Sequence, residues 1–198
     1  MRESTTKQPR LLLLVGRPGA GKGTQATALV SHLNAQAFSV GQRLRDEAQS
    51  GTLSSDAVSN MGQGRLAGET VLNRIPLWLM ALSRSSQAYI VADGLARTEA
   101  EALALTEKIA LFREATALVL EVPEWECRRR LQLRGRNDDH ESAVTSRMQI
   151  YEDQCTAIVE TLKRSMETFY IEGIGSQDLV TDRILDVICP DMIDIFKD

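Results

Sequence analysis

Cysteine is scarce in this chain, which has three cysteines among 198 residues. Cys127, Cys155 and Cys189 are far apart and form no CxxC pair, which argues against a structural zinc site and a disulfide framework. We therefore expect reduced thiols and a cytoplasmic protein. The two histidines, His32 and His140, also lack the spacing of a metal site.

Long hydrophobic runs and a strong charge imbalance are absent as well. The apolar run from Leu11 to Val15 is too short to span a bilayer, and the polar segment before it predicts no signal peptide. The formal net charge of −4 gives no general attraction to nucleic acid. We therefore expect neither a membrane nor a nucleic acid as a partner. The length, without repeats or low-complexity segments, fits one domain.

What the chain does contain is a strand, a glycine-rich loop and a helix in direct succession. The apolar run from Leu11 to Val15 predicts a buried parallel strand, and a helix is expected from Thr24 to Leu33. The loop GRPGAGKG between them offers backbone N–H groups at a helix N-terminus, which suits phosphate. Lys22 adds a mobile ammonium that can follow phosphate charge. This stretch predicts a nucleotide phosphate site.

The hydroxyl of this loop comes one residue later than in the general phosphate-loop pattern, because Gly23 follows the lysine and Thr24 comes next. The sequence GxPGxGKGTQ resembles the phosphate loop of the adenylate kinase family of nucleoside monophosphate kinases. The resemblance extends from about Leu11 to about Ile188, which is nearly the whole chain.

Five β-leaning segments alternate with helices and predict a parallel α/β sandwich. The resemblance implies a P-loop three-layer sandwich around a five-stranded parallel sheet, with a small helical insert that binds the monophosphate and a short lid. The expected boundaries are 11–188 for the single domain, about 39–70 for the insert, about 134–140 for the lid, and 1–10 and 189–198 for the tails.

The other elements are predicted from hydrophobic periodicity and turn residues. Pro76 is expected to kink the second helix of the insert or to lie near its start. Further strands are predicted at 37–40, 88–92, 117–122 and 168–172, and further helices at 41–50, 54–61, 69–84, 103–114, 124–134 and 143–167, with a closing helix before residue 188.

The segment SVGQRLR resembles the family motif S-T-G-D-x-L-R. Taken alone, Arg45 would be interpreted as a solvated helix arginine, but the resemblance implies that it holds the acceptor's α-phosphate, a task that suits a planar guanidinium. Val40 and Gln42 replace the family's threonine and aspartate, which leaves the acceptor base and the metal environment open. The acceptor-binding residues implied are Val40, Arg45, Arg65, Leu66, Ala67, Gly94, Arg97, Glu101, Arg136 and Arg147.

The strand predicted at 88–92 is followed by DGLART, where the family has D-G-F-P-R-T. Asp93, at the carboxyl end of a core strand, is well placed to hold Mg²⁺ through water, and Arg97 is implied as a second phosphate arginine. Because leucine and alanine replace the family's phenylalanine and proline, we expect a rebuilt loop. Glu101 replaces a glutamine; as a carboxylate it only accepts hydrogen bonds, which suits guanine, or it is a solvated helix residue.

The very basic helix predicted at 124–134 leads into RGRNDD, which resembles the family's lid segment in a shortened form. Phosphoryl transfer requires charge neutralisation and alignment, which lid arginines, a lysine and Mg²⁺ supply while excluding water. The alternative interpretation of these arginines is a basic patch that binds RNA or a partner. The catalytic residues implied are Lys22, Arg97, Arg134, Arg136 and Arg147, and the ATP-binding residues implied are Gly19, Ala20, Gly21, Lys22, Gly23, Thr24, Arg130, Arg134 and Gly175.

The resemblance implies an enzyme that transfers a phosphoryl group from ATP to a nucleoside monophosphate, with Mg²⁺ as the cofactor. AMP is the expected acceptor, GMP, UMP and CMP are alternatives, and a monomer is the expected state. The main rival is a nucleotide-binding regulator that does not catalyse, because several family residues are changed. A kinase for a small metabolite is less favoured, because the lid and the pairing of Arg45 with Arg97 suit a nucleotide acceptor.

Overall fold

The computed structural model describes residues 8–136 and 138–189 and contains a five-stranded sheet with helices on both faces. Every strand pair is parallel, and the strand order β2-β3-β1-β4-β5 places β1 at the centre. The predicted α/β architecture is confirmed. The strands are β1 (Arg10–Gly16), β2 (Ala35–Ser39), β3 (Tyr89–Asp93), β4 (Glu114–Glu121) and β5 (Glu167–Glu172).

Helices connect the strands and cover the sheet. None of those within the described ranges is long and apolar enough to cross a bilayer. The tails expected at 1–10 and 189–198 lie mostly outside the described residues, as does residue 137 of the lid. The helices are α1 (Lys22–His32), α2 (Val40–Gln49), α3 (Ser55–Gly62), α4 (Glu69–Leu72), α5 (Ile75–Leu82), α6 (Glu99–Thr106), α7 (Glu124–Arg134), α8 (Glu141–Lys163) and α9 (Gln177–Ile188), with a 3-10 turn at Ile109–Leu111.

The unbroken apolar sequence of β1 is explained by burial on both faces of the sheet. Leu11 and Leu13 pack into a cluster with α2, α3, α5 and α6, whereas Leu12 and Leu14 pack into a second cluster with α1, α7 and α9. Successive side chains of a strand point to opposite faces, so a strand between two helical layers must be apolar at every position. Each buried leucine stabilises the fold by roughly 1.5–3 kcal/mol.

The sheet topology brings the phosphate loop and Asp93 to one edge. The loop follows β1, and Asp93 ends the neighbouring β3, where it pairs in register with Leu14. In open parallel sheets, ligands bind beyond the carboxyl ends of the strands, where the strand order reverses. The central strand β1 lies at such a point, between β3 and β4.

The helix predicted at 103–114 is wrong in both of its boundaries. Helix α6 starts at Glu99, because the Thr98 side chain caps its first turn by accepting a hydrogen bond from the backbone of Glu101. The chain then enters the sheet at Glu114, because β4 pairs with β1 from Arg10 onward. Local periodicity could not show this, since the strand is extended by its pairing with β1.

Two other predicted helices have different limits in the structure. The second insert helix, predicted at 69–84, is divided into α4 and α5, and Pro76 occupies the first turn of α5, where its missing N–H breaks no helical hydrogen bond. Helix α8 was predicted at 143–167 but ends at Lys163, because Glu167 already belongs to β5. The remaining predicted elements agree with the structure to within about three residues.

Candidate phosphoryl-transfer site

The phosphate loop is shaped by glycines and packs tightly against α7. Gly19 and Gly21 have φ angles of 85° and 96°, in the left-handed region that favours glycine. A Cβ on Gly19 would lie 2.4 Å from the carbonyl oxygen of Cys127. Gly21 precedes α1 without a side-chain cap, so the first N–H groups of this helix have no partner within the helix. They are donors suited to a bound phosphate.

Lys22 folds back onto the loop. Its Nζ donates hydrogen bonds to the carbonyl oxygens of Gly16 and Arg17, at 2.6 Å and 2.9 Å. Desolvation lowers the pKa of Lys22, because burial disfavours the charged ammonium. A phosphate oxygen at this position would give the ammonium an anionic partner, which a carbonyl does not.

Among the neighbouring groups that favour the charged form of this lysine, Asp93 has the largest effect. Its carboxylate raises the pKa of Lys22 and so opposes the larger effect of desolvation. Its Oδ1 atom is buried and accepts no hydrogen bond from any described residue. No group of three or more His, Cys, Asp or Glu side chains suited to a metal occurs in the described part of the chain. The buried Oδ1 of Asp93, which lacks a hydrogen-bond donor among the described residues, fits Mg²⁺ held through water and substrate phosphates, because Mg²⁺ retains several waters.

Arg45 and Arg97 converge on the N-terminus of α2. A Cβ on Gly41 would lie 3.1 Å from Nη2 of Arg97 and 3.4 Å from Nη1 of Arg45. Neither guanidinium forms an ion pair with a described residue. Burial, followed by repulsion from Arg136, lowers the pKa of Arg45. Like charges brought together without a carboxylate partner favour the binding of an anion.

Glycine also allows Arg97 to lie close to its own loop. Gly94 has a φ of 81°, and a Cβ at this position would lie 2.7 Å from Nη2 of Arg97 and 3.0 Å from its Nε. The guanidinium therefore packs directly on the Gly94 backbone. Asp93, Gly94 and Arg97 thus form one short functional segment at the end of β3.

We predict that Gly94→Ala raises the KM for the acceptor by roughly tenfold, which is about 1.4 kcal/mol, because the new methyl displaces the Arg97 guanidinium. Gly51→Ala is the matched control: Gly51 has a similar φ of 72°, but a Cβ there meets nothing within 4 Å. Steady-state kinetics on both variants separate the effect of displacing the Arg97 guanidinium from the effect of placing alanine at a positive φ. Equal effects of the two substitutions would show that Arg97 is not involved.

The lid residues are held together by ion pairs centred on Asp139. Arg134 donates to both oxygens of Asp139, at 2.8 Å and 2.6 Å, and Nη2 of Arg147 donates to its Oδ1 at 2.8 Å. Arg147 also donates to the Asp138 carbonyl and side chain. In this arrangement most N–H donors of Arg147 hold the lid. Arg147 would therefore have to break some of these hydrogen bonds to contact a transferring phosphoryl group.

We predict that Asp139→Asn lowers the stability by about 2 kcal/mol at neutral pH and that this loss depends on pH. Desolvation acts to raise the pKa of Asp139, but the hydrogen bonds from Arg134 and Arg147 outweigh it together and lower the pKa from 3.8 to about 2. A carboxyl whose pKa is lower in the folded state stabilises the fold above its unfolded pKa and loses this effect as the pH falls towards the folded pKa.

Urea unfolding from pH 7 to pH 3 tests this prediction. The difference between wild type and Asp139→Asn should be constant down to about pH 4.5 and roughly halved at pH 3. Asp153→Asn, which removes an exposed carboxylate hydrogen-bonded to Gln149, should show no such change. A difference that is independent of pH would contradict the assignment of the effect to the ionised Asp139 carboxylate.

A cleft of about 650 Å³ separates the insert from the lid. Arg45 and Gln49 line it from α2, Met61 lines it from α3, and Arg136 and Asp138 line it from the lid. The volume lies within the range of small-molecule sites. The cleft therefore combines positive groups for phosphate with apolar surface.

Arg130, which the resemblance implies as an ATP-binding residue, lies beside the phosphate loop. Its Nη1 donates to the Ala20 carbonyl at 3.3 Å, and its Nη2 donates to the Gly173 carbonyl at 2.9 Å. Gly175 follows in the same β5–α9 loop, is exposed and has a φ of 121°. The structure thus brings together the phosphate loop, Arg130 and the loop that contains Gly175.

The other predicted acceptor residues lie on the insert and on α6. Arg65 is exposed, Leu66 and Ala67 are half-buried, and Val40 is fully buried in the core. Glu101 is only 3% exposed, so its interpretation as a solvated residue is wrong. Its Oε2 accepts a hydrogen bond from the Arg97 backbone at 2.7 Å, and burial raises the pKa of this carboxyl. Glu101 therefore supports the loop that presents Arg97.

Sequence reasoning missed the contact between insert and lid. His140, which has no metal-site spacing, caps α8 through Nδ1, and its Nε2 lies 3.0 Å from the carbonyl oxygen of Gly62 in α3. Gly64 packs so closely on α8 that a Cβ there would lie 2.2 Å from the Ala143 carbonyl oxygen. The spacing of these residues in the sequence carries no sign of the contact.

A second missed contact ties the phosphate loop to α8. Arg17 donates to Glu152 at 2.6 Å, and its guanidinium lies 5.5 Å from the centre of the Tyr151 ring.

The three cysteines were predicted to be reduced, and all three are free thiols in the structure.

Comparison with known proteins agrees with these features. The adenylate kinase family model matches residues 14–167. The adenylate kinase of Synechococcus sp. (strain WH7803) is 32% identical over 177 residues, covering 87% of this chain and 95% of the relative. That of Deinococcus radiodurans is 32% identical over 195 residues (91% and 98%), and that of Bacteroides thetaiotaomicron is 30% identical over 174 residues (84% and 92%). The resemblance inferred from the phosphate loop and the lid is confirmed, and the chain belongs to the adenylate kinase family.

Proposed function

We propose that this protein transfers the γ-phosphoryl group of ATP to AMP, forming two molecules of ADP. The observation that carries the proposal is the convergence of Arg45, Arg97 and Arg136, which form no ion pair with a described residue, beside a phosphate loop with its lysine. A phosphate loop supplies one phosphate site, and an arginine cluster supplies a second. Two facing phosphate sites suit a donor and an acceptor nucleotide.

The donor would bind along the phosphate loop. The free N–H groups at the start of α1 and the Lys22 ammonium would hold the β- and γ-phosphates, because both are donors that lack an anionic partner. Arg130 and the loop containing Gly175 would receive the adenine. This arrangement fixes the γ-phosphorus at the carboxyl edge of the sheet.

The acceptor would bind in the cleft between insert and lid. Arg45 and Arg97 would hold its phosphate through paired hydrogen bonds, and the apolar wall near Met61 would contact the nucleoside. The acceptor's phosphate oxygen then attacks the γ-phosphorus while the bond to the β-phosphate oxygen breaks. Holding both reactants in line accounts for much of the expected rate acceleration.

The lid would supply charge at the moment of transfer. Arg136 forms no ion pair with a described residue and lies across the cleft from Arg45. Arg134 keeps donors beyond the two that it gives to Asp139, because a guanidinium carries five. Preorganised arginines that exclude water stabilise the charge on the transferring group.

The Asp93 environment fits the proposed Mg²⁺, since its buried Oδ1 accepts no hydrogen bond from a described residue. The chemistry that bound Mg²⁺ would supply here is neutralisation of part of the phosphate charge. Asp93 itself would orient the bound waters and balance the ammonium of Lys22.

A coupled assay for ADP formation tests the function. Purified protein with Mg·ATP is given AMP, GMP, CMP, UMP or dAMP in turn, and we expect the highest kcat/KM with AMP and two ADP for each ATP consumed. If only another monophosphate is turned over, that monophosphate and not AMP is the acceptor. No turnover with any of the five, together with measurable ATP binding, would favour the non-catalytic regulator.

We further propose that the protein acts as a cytoplasmic monomer. Its free thiols suit a reducing compartment, and the proposed site is assembled from residues of one chain. Cell fractionation and native mass spectrometry check these two predictions.

A further inference from the structure

Glu126 of α7 is a buried carboxylate between two arginines of its own helix. Only 7% of its surface is exposed. Its two oxygens accept hydrogen bonds from Nε and Nη2 of Arg129, at 2.7 Å and 2.8 Å, and Oε1 also accepts one from Nε of Arg130 at 2.8 Å. These hydrogen bonds, from Arg129 first and Arg130 second, lower the pKa of Glu126 to about 2. The carboxylate is therefore charged throughout the physiological range.

The contact with Glu126 completes the hydrogen bonding that fixes Arg130. The two terminal nitrogens of this guanidinium donate to the Ala20 carbonyl of the phosphate loop and the Gly173 carbonyl after β5. With Nε held by Glu126, each nitrogen of the planar group donates to a different residue. The Arg130 side chain is still 26% exposed. A fixed guanidinium plane with an accessible face is a surface on which a purine ring stacks.

We propose that Glu126 is a positioning residue that holds the Arg130 plane in place for the donor base and so sets the preference for a purine donor. The inference rests on the proposed function, in which ATP is the donor. It differs from a general role of α7 in the fold, because it predicts an effect that depends on the base and not on the phosphates.

Neutralisation of Glu126 should release Arg130. A glutamine at this position has one acceptor oxygen and two N–H donors, so it cannot accept three hydrogen bonds from two guanidinium groups with the same geometry. The Nε of Arg130 would then lose its anionic partner, and the guanidinium would no longer be held at all three nitrogens. The phosphate loop would lose at most the hydrogen bond from Arg130 to the Ala20 carbonyl, and its own turn, in which the Ala20 N–H donates to the Arg17 carbonyl, should persist.

The test compares donors with and without a purine base in wild type and Glu126→Gln. We expect the KM for ATP to rise roughly tenfold with kcat changed less than twofold, and the ratio of kcat/KM for ATP over CTP to fall. Inorganic triphosphate, which has no base, should inhibit both proteins with the same Ki. Glu124→Gln is the matched control, because Glu124 forms the corresponding ion pair with Arg128 on the exposed side of α7.

Two further variants keep the test decisive. In an Arg130→Ala background, Glu126→Gln should have no additional effect on the ATP to CTP ratio. If Glu126→Gln does not fold, Glu126→Asp, which keeps the charge but withdraws it by one methylene, should lower the same ratio. An equal weakening of ATP, CTP and triphosphate, or no change in any of them, would overturn the proposal.

Failure of the proposed function is distinguishable from failure of this inference. In the first case wild type itself transfers no phosphoryl group. The affinities of ATP and inorganic triphosphate for wild type and Glu126→Gln, measured by calorimetry, would still show whether Glu126 acts through the base.

Discussion

Replacement of Lys22 by methionine is expected to lower kcat by roughly 100- to 1,000-fold, with a smaller effect on ATP affinity. The Lys22 ammonium is a positive group of the phosphate loop, and it lies close enough to Asp93 for the carboxylate charge to raise its pKa. Without it, the charge on the transferring group loses a partner that follows it through the reaction. Stopped-flow and steady-state assays with saturating ATP and AMP measure the loss directly.

The same substitution should leave the fold intact. Desolvation lowers the pKa of Lys22, which means that burial of its charge is unfavourable in the free protein. Methionine of similar length removes that penalty, so the free energy of unfolding should be unchanged or higher. Lys163→Met, at an exposed lysine that ends α8, is the control and should keep full activity. Full activity of Lys22→Met would exclude the proposed role.

Removal of Arg45 or Arg97 is expected to have the second-largest effect. Each substitution to alanine should lower kcat/KM for the acceptor by roughly 10- to 150-fold, because a hydrogen bond to a charged group contributes about 1.5–3 kcal/mol. Both guanidinium groups lie beside Gly41 and neither pairs with a described carboxylate. The KM for ATP should change much less, because the donor phosphates lie in the phosphate loop.

Arg43→Ala provides the control for the arginine substitutions. Arg43 belongs to the same helix as Arg45, but it is exposed and its guanidinium lies 5.7 Å from the centre of the Phe38 ring. A double-mutant cycle should give a non-zero coupling energy between Arg45 and Arg97, because both would contact one phosphate. If Arg45→Ala affects the acceptor no more than Arg43→Ala, the proposed acceptor site is wrong.

The phosphate loop and its strand could be predicted because their signals are local. The apolar run from Leu11 to Val15 has only one stable location, the centre of a sheet that is covered on both faces. Gly19 and Gly21 are required by left-handed backbone angles within the loop itself. The sequence of such a segment contains most of the information that determines its structure.

The limits of the helices near β4 and β5 could not be predicted in the same way. Glu114 belongs to a strand because Arg10, more than a hundred residues away, supplies its pairing partner. Glu167 likewise pairs with Thr116. Periodicity within a short window contains no information about such long-range pairing.

The candidate site was predicted residue by residue, but the contacts that position its residues were not. Arg45 and Arg97 come together because Gly41 and Gly94 leave room for both side chains. Glu101 was considered as a base contact or a solvated residue, and the structure adds a hydrogen bond from the Arg97 backbone to its side chain, which the sequence did not indicate. These relations depend on the packing of α2 against the β3–α6 loop, which no spacing in the sequence reveals.

Transfer of an isotopic label tests the central claim most directly. ATP labelled in its γ-phosphoryl group is mixed with unlabelled AMP, Mg²⁺ and the protein, and the products are separated. The account predicts that the label appears in the β-phosphate of the ADP formed from AMP, and that Lys22→Met slows its appearance by at least 100-fold. Label recovered only in ATP or inorganic phosphate would contradict phosphoryl transfer between the two sites.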